Sequence, residues 1–274
     1  GIHLLELHLH RLQVLMSLGR YSQVVDACSR AQVLLERVLP SWGDFFRTTL
    51  HMEGAYCAVY LDPRPETAGR LLESLEPVDL PGTMRFIARS VRGELELTRG
   101  NVRTAALIQR VSLRYAGNWR SILGSGSQWE LYILSMCLVT DVELSPDDAV
   151  ELDAGAIRAR ATSLLREILS DPAPRQRDIP TLMAFAAAVG LSAVAAEDAG
   201  PDRRAVGAEL VATALAVGTN QTCRLLSHDY LRSRTERLDA LALAQAEERI
   251  RSLDRGGLVV HAADLAGRLA GEVG

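Results

Sequence analysis

The 274-residue chain contains no lysine; all thirty of its basic residues are arginine. A GC-rich coding sequence accounts for such a bias, but the chemical consequence holds whatever its origin. A phosphate-loop lysine, a Schiff-base lysine and a Ser–Lys catalytic pair are all excluded. Aromatic residues make up only 5% of the chain, and runs of β-branched residues are almost absent, which leaves little material for strands. The four cysteines, Cys28, Cys57, Cys137 and Cys223, are far apart and never form a CxxC pair. They read as small buried hydrophobes in a reducing, cytoplasmic setting, not as a disulfide framework or a zinc site. No apolar run reaches the roughly 18 residues that a membrane helix needs, and no signal-peptide pattern is recognised. The chain opens on Gly1-Ile2-His3 and enters a helical pattern at once, so a fragment of a larger protein is expected.

Reactive constellations are equally scarce. His3, His8 and His10 are neither i,i+3 nor i,i+4 pairs, and His51, His228 and His261 stand alone. No HExxH, GxSxG or Rossmann glycine pattern occurs, and Gly124-Ser125-Gly126-Ser127 lacks both the flanking strand and the lysine of a phosphate loop. The carboxylate pairs Asp147/Asp148 and Glu247/Glu248 sit in ordinary helix-start or exposed helix contexts. The expectation is a protein without catalytic residues, metal or cofactor, and therefore not an enzyme. A net charge of −4 is too mild and of the wrong sign for an electrostatic nucleic-acid binder.

What the chain does have is alanine, leucine and helical spacing. Leu4, Leu5, Leu7, Leu12, Leu15 and Leu18 form the apolar face of a first helix over 2–18, ended by Gly19, with a partner over 20–38 closed by Pro40. A second hairpin is predicted over 42–61 and 65–76 around Asp62-Pro63-Arg64-Pro65, and a third over 82–99 and 101–116 around Gly100. Beyond a flexible link at Asn118–Ser127 follow helices at 127–141, a short turn of helix at 146–152, then 154–169, 179–198, 202–217, 222–233, 235–253 and 258–270. The loop at 171–177 reads as an inter-repeat break, and Gly256-Gly257 as the last hinge. The two Ala-rich helices at 179–198 and 202–217 are expected to pack closely. Roughly thirteen helices and no sheet result.

The stretch Ser17–Ala31, SLGRYSQVVDACSRA, is written a second time at Thr98–Ser112. Gly19 is followed by Tyr21, Val24, Cys28 and Ala31, and Gly100 at the same offsets by Val102, Ala105, Gln109 and Ser112. Gly93 adds a small residue seven places before Gly100. This pattern resembles the tetratricopeptide repeat, with Val24 for its alanine and Cys28 for its aromatic. Arg89 and Glu96 are charged where that repeat is apolar. The resemblance implies an α-α superhelix, a solenoid of antiparallel hairpins with a period near 40 residues. It would form one array over 1–274, with N-terminal hairpins at 1–117 and C-terminal hairpins at 125–274.

A second resemblance rests on residues 178–270. An Ala-rich helix, Gly200-Pro201-Asp202, the Arg203-Arg204-Ala205 opening of another Ala-rich helix, then LALAQAEERIRS (Leu241–Ser252) and GGLVVHAADLA (Gly256–Ala266) follow in order. This order is similar to the tail of large bacterial transcription regulators of the SARP and large ATP-binding LuxR types. Where those usually have Leu-Leu-Gly-Ala, Gly207-Ala208-Glu209-Leu210 stands here. The resemblance implies a sensor or regulatory region. Its partners would be a protein, a peptide or a small effector, and its intramolecular contacts would be to NTPase and DNA-binding modules of the parent protein. Direct contact with nucleic acid or a membrane is not expected. A stand-alone peptide-binding adaptor is the alternative.

Candidate partner-binding residues follow from charge and bulk. Arg85, Arg89, Arg92 and Arg99 share one helical stripe, and 85–120 carries eight arginines against Glu94 and Glu96. Arginine forks pair with carboxylate or phosphate; the plainer reading is a solvated face with an Arg92–Glu96 pair. Trp42, Trp119 and Trp129 each lie near an inter-hairpin joint, where a ring fills a gap or lines a pocket. Trp119 and Trp129 join the arginines as candidates.

Overall fold

A computed structural model describes residues 2–18, 20–38, 40–61, 65–76, 82–116, 126–145, 153–170, 179–220 and 223–271. Among the described residues the chain is all-helical, with twelve α-helices and no strand. It divides into two compact units, Gly1–Ser112 and Leu113–Gly274. The division falls inside a helix, ahead of the glycine-rich link.

The first unit holds α1 (Ile2–Ser17), α2 (Tyr21–Val38), α3 (Pro40–Leu61), α4 (Glu66–Glu73), α5 (Gly82–Thr98) and the start of α6 (Val102–Ala116). Packing follows chain order: α1 on α2, α2 on α3, α3 on α4 and α5, and α4 on α5. The repeated stripe is what the hairpins bury. Val24, Cys28 and Ala31 are in the core, and so are Ala105, Gln109 and Ser112. Both copies end their first helix with a backbone bond reaching five residues back, Arg20 N to Leu15 O at 2.9 Å and Asn101 N to Glu96 O at 2.9 Å. In the second copy Gly100 takes the left-handed conformation at φ +81° that this helix ending requires, where a Cβ is strained. α5 and α6 then approach closely, because a Cβ on Gly93 would lie 2.5 Å from Gln109 Nε2.

The second unit holds α7 (Gly126–Asp141), α8 (Ala154–Ser170), α9 (Ile179–Ala195), α10 (Pro201–Val217), a 3₁₀ turn (Arg224–Leu226), α11 (His228–Ile250) and α12 (Arg255–Gly271). Every residue of α9 from Leu182 to Val194 is buried, which fits a helix apolar on all sides. It packs against α7, α8, α10 and α11. Backbones of α9 and α10 nearly touch: a Cβ on Gly190 would lie 2.6 Å from Gly207 O, and one on Gly207 2.8 Å from Gly190 O. The order of neighbours is not sequential here. α12 packs on α8 and α10, so the last helix returns to the earlier part of its own unit.

Two predicted boundaries are displaced. Gly256 and Gly257 are not a hinge but the first turn of α12, capped by Asp254, whose Oδ1 accepts the Gly257 N–H at 2.7 Å. The helix break predicted between 233 and 235 lies instead at Asp239, whose backbone leaves the helical region at φ −159°, ψ 81°. Its Oδ1 accepts the Ala242 N–H at 2.9 Å and so caps the helix that restarts there. The predicted turn of helix at 146–152 and the loop at 171–177 lie outside the described residues, as do Gly19 and Trp119.

Candidate functional site

The arginine stripe runs along α5 in the first unit and ends at Arg99, just past the helix, and Arg92 and Arg99 face carboxylates of the same unit. Arg99 reaches Glu96 (Nη1–Oε1, 2.9 Å), and its Nη2 lies 3.1 Å from where a Gly69 Cβ would stand, over α4. Arg92 faces Glu76 at 3.9 Å. Glu96 thus pairs with Arg99 where the plainer sequence reading had Arg92. It also accepts a bond from Asn101 Nδ2 at 2.8 Å, which clamps the turn at Gly100. Burial pushes the Glu96 carboxyl up. The hydrogen bonds from Asn101 and Arg99 and the charges of Arg99 and Arg92 outweigh it, so the group stays below the usual carboxylate range. Arg85 is exposed and Arg89 half-buried on the same helix. Trp129 belongs to α7, and its side chain lies outside the described residues, as does that of Trp42.

The second unit contains a cleft that the sequence reading did not locate. In a continuous helix, residues fifteen apart are about 22 Å distant along the axis. Arg232 and Glu247, separated by fifteen positions, are nevertheless joined at 2.5 Å (Nη1–Oε1). The two halves of α11 therefore fold back on each other at Asp239, making a helical hairpin with a minimal turn. At its open end, against α10, is a cavity of about 230 Å³ lined by Ala212, Leu215, Ile250, His228, Arg232 and Glu247, with Ala216 and Arg251 completing the wall. Ala212, Leu215 and Ile250 are buried apolar residues; the remaining polar groups form the rim. Arg232 also holds Glu236 at 2.9 Å. The hydrogen bond to Glu247 is the main reason the Arg232 guanidinium stays above its ordinary range, with burial opposing it.

Two carboxylates fix the elements around this cleft. Glu209, on α10, accepts from Arg249 Nε at 2.7 Å and is paired through its other oxygen with His261 Nε2 at 2.7 Å, which ties α11 and α12 to α10. Glu143, after α7, accepts from Tyr230 Oη at 2.6 Å and from Arg234 Nε at 2.6 Å. Arg234 also stacks over the Tyr230 ring, 5.3 Å from its centroid.

All four cysteines are buried free thiols; burial, aided by Glu53, pushes Cys28 up to about 12, which keeps it from acting as a nucleophile. Among the described residues no three His, Cys, Asp or Glu side chains gather as a metal site requires, and no helix is long and apolar enough to cross a membrane. Compared with protein-family models, curated proteins and solved structures, the chain matches none.

Proposed function

We propose that this chain is a non-catalytic helical-repeat scaffold that binds a protein or peptide partner. The observation that carries this reading is the cleft between α10 and the α11 hairpin, with its apolar floor and charged rim. Small-molecule pockets usually span about 300–1,000 Å³. A cavity of about 230 Å³ is better matched to one apolar anchor side chain of a partner, with the rim charges pairing to its flanks. Tetratricopeptide-like stacking, as a superhelix of hairpins, is the arrangement proposed for the array; the chain-order packing of the first unit supports it.

The place of this scaffold in the cell rests on resemblance. We read it as the sensor or regulatory region of a cytoplasmic bacterial transcription regulator, in which partner binding shifts contacts to NTPase and DNA-binding modules. That reading is tested by the coding sequence ahead of Gly1, and it loses its support if neither module is encoded there. The alternative, a stand-alone adaptor, predicts tight saturable binding of short peptides by the isolated chain.

The cleft itself is tested with a panel of short amphipathic peptides, each carrying a single Leu or Phe anchor. Ala216→Trp, at an exposed position on the cleft wall, is expected to weaken any binding about tenfold or more while leaving the unfolding temperature unchanged. Binding that ignores this change places the partner surface elsewhere. Replacing Arg85, Arg89 and Arg92 by Gln then examines the α5 stripe, where unchanged binding and stability leave only a solvated face.

A further inference from the structure

The α11 hairpin exposes leucine where it turns. Asp239 makes the turn, and Leu238 and Leu241 flank it at 45% and 69% exposure. Leu241 is the most exposed large apolar side chain among the described residues. No residue from Glu236 to Ala242 is buried, so this apex stands clear of the core that Leu231, Thr235, Leu243 and Ala246 enter. Turns ordinarily carry Gly, Pro, Asn, Asp or Ser; two leucines beside one aspartate make a small apolar knob instead. Arg237 is exposed next to them and makes no ion pair among the described residues.

The other end of the same hairpin carries the matching hole. There the cleft has its apolar floor of Ala212, Leu215 and Ile250, with Glu247 on the rim. The arms of α11 run eleven residues to either side of Asp239, which puts the apex about 16 Å from the open end. A helical hairpin cannot bend its apex into its own cleft, so only another molecule can fill the hole. A two-fold axis across the middle of the hairpin sets a second copy end for end against the first. Each apex then meets the open end of the other copy. Both knobs and both holes are used at once, and the assembly closes.

We propose that the Leu238–Leu241 apex of one copy occupies the α10–α11 cleft of a second copy, in a closed two-fold dimer. Leu241 is the apolar anchor, and the unpaired Arg237 beside it supplies a cation to the rim carboxylate Glu247 of the second copy. The inference rests on the reading of the cleft as a site for one apolar anchor, and it names the occupant. Self-association then covers the surface that a peptide enters, so dimer and peptide compete. Stable interfaces bury roughly 1,200 Å² or more; two contacts built on one small hairpin end each are weaker than that, and the dimer dissociates on dilution.

The test is sedimentation velocity of the full chain over a rising concentration series, where monomer should convert to dimer and to nothing larger. Leu241→Asp removes the knob and Ala216→Trp fills the hole. Each should weaken self-association about tenfold or more and leave the unfolding temperature of the dilute chain unchanged. Mixed one to one, the two variants should pair again, since the knob of the Ala216→Trp chain fits the cleft of the Leu241→Asp chain. The mixed affinity should lie between that of either variant alone and that of the native chain. Any single-anchor peptide that binds the cleft should dissociate the native dimer and bind Leu241→Asp more tightly than the native chain. The proposal is overturned by a monomer at every concentration, by growth beyond the dimer, by a dimer that survives either substitution, or by a mixture that fails to pair. A chain that binds the peptides and stays monomeric overturns self-association alone and leaves the cleft reading standing; failure of both removes both.

Discussion

Gly190 has no room for a methyl group. Its Cβ would stand 2.6 Å from a backbone oxygen of α10, and Val211 blocks the other side at 2.9 Å. Gly190→Ala therefore has to push two buried helices apart, and a loss of about 2–3 kcal/mol is expected in denaturant unfolding. Gly155→Ala is the control: no atom lies within 4 Å of the new methyl, and better helix propensity should leave stability equal or up to about 1 kcal/mol higher. Two glutamates of the first unit respond to pH in opposite directions. Burial pushes Glu53 from 4.5 up to about 7, so its folded form holds the proton more tightly than the unfolded chain. Its stability contribution is complete below about pH 4.5 and disappears as pH rises through 7. Glu96, held low, contributes above its unfolded pKa and loses that contribution as pH falls. Thermal unfolding of Glu53→Gln should exceed the native chain by about 2–5 °C at pH 8 and lose that margin at pH 4.5. Glu96→Gln should be the weaker variant at pH 7, with the gap closing in acid. Parallel profiles for Glu53→Gln and the native chain would show that this carboxyl does not govern the pH response.

Among the elements, α11 separates what local sequence announces from what it conceals. Helix ends marked by proline or glycine were legible: Pro201 opens α10 and Gly100 closes α5 by removing a donor or permitting a positive φ. The turn at Asp239 carries neither residue. Its only local signal is an aspartate three places before the N–H it caps, and many exposed aspartates in helices share that spacing. The cleft was illegible for the same reason, since its walls come from 212–216, 228–232 and 247–251 and meet only when α11 folds back. The α5 stripe was visible as spacing, but the commitment of Arg92 to Glu76 depends on how α4 packs. If α11 is folded as described, spin labels at 232 and 247 should report a separation well under the roughly 22 Å of a straight helix. A single distance near that value would return α11 to a continuous rod. Asp239→Ala should cost about 1 kcal/mol through loss of the cap.

At the scale of the molecule, the two units keep their helices in place differently. In the first, the helix contacts run between elements one or two places apart in the chain, so stability accrues from local packing. In the second, the seam closes when α12 (Arg255–Gly271) docks on α10 and, further back in the chain, on α8 (Ala154–Ser170), a contact of high sequence separation. The direction of protein synthesis makes that difference matter. A nascent chain can settle α1 to α5 as they leave the ribosome, but α8 and α10 wait with a face uncovered until the last helix has been made. A chain stopped after Leu253 should therefore keep native amide protection in α2 and α3, lose it across α8 and α10, and be captured by Hsp70-type chaperones. Equal protection in both units would mean that α12 is an ornament to a structure already complete. The closing of the second unit is thus also a clock, setting the moment in translation at which the α10 cleft first exists in its final setting.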